Sequence, residues 1–253
     1  MKHSLLSLLL LSLLSVQGCS FLEKDESDWT VQDFYEHAKS SFDSEQWGPA
    51  IEYYEKLKAY YPYGKYAEQS YLDLAYAYYR YDEPESAQRE LNEFIRLYPK
   101  HSALPYAYYL RALSADSINK SWFDSWFLDP ASRDMASTQE AYNAYMDLLE
   151  RFPKSKYAIN AKERIIILRN RLARHEFLVA EYYFKRKAYL ASANRAKFIV
   201  DNYPRSQVNI FALQLMRDAY QEMGMTQNAE DTQAVLDFNL ARRAAQAEGA
   251  SDD

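Results

Sequence analysis

The single cysteine of this 253-residue chain, Cys19, and the three histidines beyond it, His37, His101 and His175, are the side chains best suited to nucleophilic or metal chemistry. Their spacing argues against both. The histidines stand 64 and 74 residues apart, and no HExxH pair, second cysteine or phosphate-cradling glycine loop accompanies them. His37 falls on a core position of a repeat, and His101 follows a helix-ending proline. The 36 Asp and Glu recur at helical surface spacing beside Lys and Arg, as on a solvated face. Catalysis needs convergent titratable groups. None are visible, so neither an enzyme nor a bound cofactor is expected. The net charge of −6 gives no ground for nucleic-acid binding.

Cys19 has a different use. Lys2 and the leucine-rich run Leu5 to Val16 form a charged start and an apolar stretch too short to span a bilayer. The run ends at Val16-Gln17-Gly18-Cys19-Ser20, which resembles the bacterial lipoprotein box, although Gln17 is a less usual occupant. That resemblance implies removal of residues 1–18 and acylation of Cys19, the only attached group expected. Three acyl chains, at roughly 0.8 kcal/mol per buried CH2, give stable anchoring without a spanning helix. Ser20, rather than aspartate, resembles lipoproteins sorted to the outer membrane. Residues 19–29 are then a lipidated linker.

Two surface features exceed what folding requires. Eleven tyrosines lie between Tyr53 and Tyr81. Tyr54, Tyr71 and Tyr78 sit on core positions, whereas Tyr60, Tyr61, Tyr63, Tyr66, Tyr76 and Tyr79 are in excess and are the candidates for a peptide-binding groove. The alternative is that they fill contacts between repeats. The second feature is charge: residues 161–200 hold ten Lys/Arg against three Glu, while residues 19–60 hold ten acidic residues against four basic. Such polarity would steer an acidic partner to the C-terminal half. Arg195, with Asn194, Arg186 and Lys197, is the candidate contact.

The elements that must position these groups are repeats. Tyr71, Leu74, Ala75, Tyr78, Ala87, Leu91 and Pro99 follow the tetratricopeptide (TPR) pattern of large, Leu, small, Tyr, then Ala, large, Pro. Small residues twelve apart allow two helices to cross closely, larger ones at helical spacing surround them, and the proline stops the second helix. Further copies carry Phe34, Ala38, Ala50, Tyr54 and Pro62, with Gly48-Pro49 as the turn; Val179, Ala180, Tyr183, Ser192, Ala196 and Pro204; and Leu213, Met216, Tyr220, Gly224 and Ala229. A split copy begins at Tyr108, Arg111 and Ala112 and finishes at Ala141, Tyr145 and Pro153. The pattern predicts an all-α solenoid of about five TPR helix pairs. An insertion over residues 114–138 carries Trp122, Phe123, Trp126 and Phe127, and a single helix of about 30 residues between Lys156 and Arg186 leads into the fourth pair. The expected divisions are residues 30–154 for repeats 1–3, 155–240 for repeats 4–5, and a disordered tail over 241–253.

Taken together, the chain resembles the BamD family of TPR lipoproteins of the outer-membrane β-barrel assembly machinery. The stretches that carry the likeness are Tyr60 to Tyr66, Tyr76 to Tyr79, Phe94 to Pro99, Ser132-Arg133-Asp134, Leu172 to Tyr183, Asn194-Arg195 and Tyr203-Pro204. The resemblance implies a periplasmic scaffold in the inner leaflet of the outer membrane. Its implied partners are the POTRA domains of BamA, met by the C-terminal repeats, the lipoproteins BamC and BamE, and the C-terminal targeting segments of unfolded barrel proteins. Those segments end in aromatic residues and would lie in the N-terminal groove. The competing expectation is a TPR lipoprotein adaptor for cell-envelope or division machinery.

Overall fold

Proline and a recurrent left-handed residue punctuate this chain into helices. The computed structural model describes residues 25–64, 66–118 and 135–249. Among the described residues there is no strand, and a 3-10 turn at Glu26–Asp28 precedes ten helices. These are α1 (Val31–Asp43), α2 (Trp47–Tyr60), α3 (Ala67–Arg80), α4 (Pro84–Leu97), α5 (Leu104–Ser117), α6 (Ala136–Arg151), α7 (Ala158–Lys185), α8 (Tyr189–Asn202), α9 (Asn209–Glu222) and α10 (Thr226–Gly249). The all-helical reading of the sequence holds. The packing divides into two compact units, Met1–Ala77 and Tyr78–Asp253, so α3 contributes to both. In the first unit α1 packs on α2; in the second each helix from α4 to α10 packs on the next. The junction after residue 154 is therefore spanned by α6 packing on α7.

Two kinds of connection alternate. Four helix ends (α1, α3, α7 and α9) are followed by a three-residue turn whose middle residue is left-handed: Glu45 (φ 56°), Asp82 (64°), Lys187 (60°) and Gly224 (70°). In each turn the third residue's N–H reaches back five residues to a carbonyl: Gln46 to Ser41, Glu83 to Tyr78, Ala188 to Tyr183 and Met225 to Tyr220, at 2.9–3.0 Å. This bond satisfies an orphan carbonyl of the ending helix and reverses the chain. At the other kind of end an aromatic residue precedes proline. Tyr61, Tyr98, Phe152 and Tyr203 each donate N–H to the carbonyl four residues back, at 2.8 Å. Their ψ of 50–66° is out of the helical range, as the following proline ring requires.

The small residues of the repeat pattern are all inside. Ala38, Ala50, Ala75, Ala87, Ala112, Ala141 and Ala180 have no exposed surface, and Ala229 almost none. Ser192, which replaces the second alanine of its copy, is equally buried, and its hydroxyl donates to the Ala180 carbonyl at 2.9 Å. That bond satisfies a polar group which would otherwise oppose burial.

Helix α7 matches the long helix expected between Lys156 and Arg186. It runs 28 residues without Gly or Pro, about 42 Å at 1.5 Å per residue, and buries a seam of Ala158, Ala161, Ile165, Leu168, Leu172, Ala173 and Ala180. Two local readings are corrected. Gly48-Pro49 is not the turn; the chain reverses at Ser44–Gln46 and Pro49 lies in the first turn of α2, where its missing N–H would be unsatisfied anyway. The helix of the last repeat does not stop at Leu240. It continues through Ala241, Arg242, Arg243, Ala244 and Ala245 to Gly249, because Ala and Arg are strong helix formers. Arg243 also donates to the Ser206 carbonyl at 3.3 Å. Cys19, residues 1–18, the Trp122 to Phe127 aromatics and Ser132 to Asp134 lie outside the described residues. No described helix is long and apolar enough to cross a membrane.

Candidate functional site

The first turn of α1 helps to build a concavity. The Thr30 hydroxyl accepts the Asp33 N–H at 3.3 Å while the Asp33 carboxylate accepts the Thr30 N–H at 2.7 Å, a reciprocal cap that fixes where the helix begins. The residue before it, Trp29, is thereby laid against the helix. Its ring stacks on His37 (centroids 4.1 Å, 4° between planes) and meets Phe34 edge-on at 5.1 Å. From the end of α2, the Tyr61 hydroxyl donates to the Trp29 carbonyl at 3.2 Å. Lys56 bridges Glu26 and Glu52, each at 2.8 Å, and these hydrogen bonds hold its ammonium pKa above the usual lysine value. Between the 3-10 turn, α1 and α2 lies a cleft of about 590 Å³, lined by Glu26, Ser27, Trp29, Phe34, Tyr60 and Tyr61. Aromatic walls with a polar lip suit a side chain that is apolar in its body and hydrogen-bonding at its tip.

The six candidate tyrosines separate into distinct environments. Tyr60, 65 % exposed, and Tyr61, half-buried, line the cleft, their rings 5.6 and 6.3 Å from Phe34. Tyr63 follows them with 84 % of its surface free. Tyr66 instead stacks on Tyr35 of α1 (4.4 Å, 23°). Tyr76 packs against Phe42 and Trp47 at 5.6 and 5.8 Å. Tyr79 belongs to the second unit and is half-buried. The first unit therefore brings Tyr60 and Tyr61 together at one opening and uses Tyr66 and Tyr76 as contacts between helices.

The basic candidates lie around α8. Asn194, Arg195, Lys197 and Arg186 are all exposed. Arg195 reaches across to α7, where its guanidinium donates to Glu176 at 2.9 Å. Lys197 pairs with Asp201 one turn on, at 2.7 Å. Arg186 donates to the Tyr182 hydroxyl at 3.0 Å and lies over that ring. Leu190 and Phe198, 59 % and 42 % exposed, flank Asn194 and Lys197 on α8. The face is therefore amphipathic rather than simply cationic.

The family model described as YfiO, outer membrane lipoprotein, matches residues 27–236. The chain belongs to the YfiO family. Among its curated relatives, outer membrane protein assembly factor BamD of Neisseria meningitidis serogroup A is 38 % identical over 249 residues, covering 96 % of this chain and 92 % of the relative. The protein of the same name from Vibrio cholerae is 34 % identical, covering 94 % and 99 %. Among solved structures, a Podosopora anserina kinesin light chain with TPR-like repeats overlaps 87 % of this chain and 96 % of its own, at 15 % identity and a TM-score of 0.36.

In this YfiO chain His37 and His101 have packing roles. His37 carries the Trp29 ring, and the His101 Nδ1 accepts the Ala103 N–H at 3.1 Å while its ring meets Phe94 edge-on. The notable buried carboxylates are structural as well. Asp116 accepts from the Nε and Nη2 of Arg164, at 2.6 and 2.9 Å. Asp73 accepts from Tyr54 at 3.0 Å and from Gln69 at 2.7 Å. Sequence reasoning missed Glu26, Ser27 and Trp29 as cleft residues, having placed them in the linker; Phe34, read as core, is buried as read and also lines the cleft. The available signal was Thr30-x-x-Asp33, a helix start that fixes the tryptophan beside it.

Proposed function

We propose that this chain is an outer membrane protein assembly factor whose first-unit cleft receives aromatic side chains from the C-terminal targeting segments of unfolded barrel proteins. The cleft formed by Trp29, Phe34, Tyr60 and Tyr61 carries the reading; the names of the relatives supply its setting. Cys19 bears the lipid and holds the chain in the inner leaflet of the outer membrane, facing the periplasm. The α8 face with Asn194, Arg195, Arg186 and Lys197 meets the POTRA domains of BamA, and BamC and BamE are further partners. The role is that of a scaffold: it binds and positions, with no cofactor and no bond made or broken.

The test is photocrosslinking in native membranes, with the reactive group placed at Tyr60, Tyr63 or Lys197 in turn. Capture of unfolded barrel proteins near their C-termini from positions 60 and 63, and of BamA from position 197, is the expected outcome. Exclusive recovery of division or cell-wall proteins from all three positions would overturn it. Tyr61→Ala should weaken binding of an aromatic-ended peptide by about tenfold, equivalent to about 1.4 kcal/mol.

A further inference from the structure

Three cations in succession, Lys185, Arg186 and Lys187, form the turn that joins α7 to α8. All three are exposed, and residues 182–190 contain no carboxylate. Arg186 is engaged within the chain, where it donates to the Tyr182 hydroxyl and lies over that ring. Among the described residues Lys185 and Lys187 make no ion pair, whereas Arg195 and Lys197, further along α8, are each matched by a carboxylate. Nor does the turn itself call for a cation. Lys187 holds the left-handed position at φ 60°, and its counterparts in the three equivalent turns are Glu45, Asp82 and Gly224. The charge of the two lysines is therefore not needed for the fold.

Amphipathic side chains surround these lysines. Tyr182 and Leu190, 54 % and 59 % exposed, stand before and after them in the chain. Phe184 meets Tyr189 edge-on at 5.3 Å, which fixes the end of α7 against the start of α8. The Tyr189 hydroxyl donates to Glu222, the last residue of α9. The turn into α10, with the exposed Met225, thus comes alongside. Ammonium groups on long stems beside aromatic and aliphatic bodies suit a bilayer surface, because the cations reach phosphates while the rings and methyl groups enter the headgroup layer. A bilayer offers both kinds of contact at once, and the family to which the chain belongs is described as an outer membrane lipoprotein.

We infer that the α7–α8 turn is a docking surface for an anionic phospholipid bilayer, with Lys185 and Lys187 on the phosphates and Tyr182, Leu190 and Met225 in the headgroup layer. Each lysine at such a surface strengthens association by about fivefold. Two lysines therefore orient a chain that is already tethered and do not hold an untethered one. The contact depends neither on the first-unit cleft nor on acylation of Cys19.

The test places a fluorophore on the Ala188→Cys chain, purified from membranes and reconstituted into vesicles that contain a phospholipid with a quencher in its headgroup. One set of vesicles is phosphatidylcholine, the other an equal mixture of phosphatidylcholine and phosphatidylglycerol. Flotation reports whether the chain is carried by each set, so a failure of the anchor shows separately from a failure of the turn. Quenching is expected in the mixture, far less in phosphatidylcholine, and should fall as added salt screens the lysines. Lys185→Gln and Lys187→Gln should each lower the ratio of docked to undocked chains by about fivefold. Lys185→Glu combined with Lys187→Glu should abolish quenching while flotation is unchanged. Both positions are exposed, and unchanged far-ultraviolet dichroism would show that each variant folds. A fluorophore that stays bright in the mixture would overturn the inference and leave the lysines to an acidic protein. Equal quenching in the two sets, or quenching that survives the double reversal, would overturn it as well.

Discussion

Asp73 shows how one buried side chain sets a pH response. Burial raises its carboxyl pKa, against the opposing hydrogen bonds of Gln69 and Tyr54. The folded chain thus holds this proton better than the unfolded one does. The stabilisation from the neutral form is present below about pH 4 and is lost as pH rises through the folded value. Asp73→Asn keeps an amide partner for Tyr54 while removing the charge. It should therefore gain on the parent between about pH 4 and pH 7, read as a widening gap in urea midpoints; a constant gap would contradict this. Tyr60 and Tyr61 were legible in the sequence because tyrosine at that density exceeds what a core requires. Their cleft partners were not, because Trp29 and Phe34 are residue types that core packing uses equally. Arg195 was legible as an exposed cation, but its bond to Glu176 depends on how α7 and α8 pack, which charge counting does not reveal.

At the scale of the element, the helix pairs were readable from the recurrence of small residues. Ala87 has no exposed surface, and Ala87→Leu should overpack its site by about 1–3 kcal/mol in chemical denaturation. A neutral result would mean that the space around α4 adapts freely. The turns were less readable, because three of the four left-handed positions carry Glu, Asp or Lys instead of glycine. A left-handed residue with a Cβ is strained by roughly 1–2 kcal/mol, offset in part by the greater unfolded-chain entropy of glycine. Lys187→Gly should accordingly stabilise the chain by about 0.5–1 kcal/mol; a lowered denaturation midpoint would show that the lysine side chain contributes more than its backbone strain costs. The position of Pro49 misled for a related reason. Gly-Pro usually signals a turn, yet proline is also at home in the first turn of a helix, and only the observed helix start distinguishes the two.

For the molecule as a whole, the proposed anchor at Cys19 and the cleft are neighbours in the chain. Cys19→Ala should release the protein from membranes without loss of helicity, since the described helices begin at Val31; fractionation together with circular dichroism would check both halves. Loss of helicity on release would mean that the N-terminal segment supports the fold. The linker foreseen over residues 19–29 is shorter in practice, because Glu26 is bridged to Lys56 and the Trp29 carbonyl is bonded by Tyr61. Six peptide links join Cys19 to Asp25, an extended reach of at most about 21 Å. Were that sulfur acylated as proposed, the aromatic opening would be moored close to the headgroups and could not roam the compartment. On the function proposed above, a client entering it would be received at the boundary between water and lipid, and whatever takes the client onward would have to wait at the same depth.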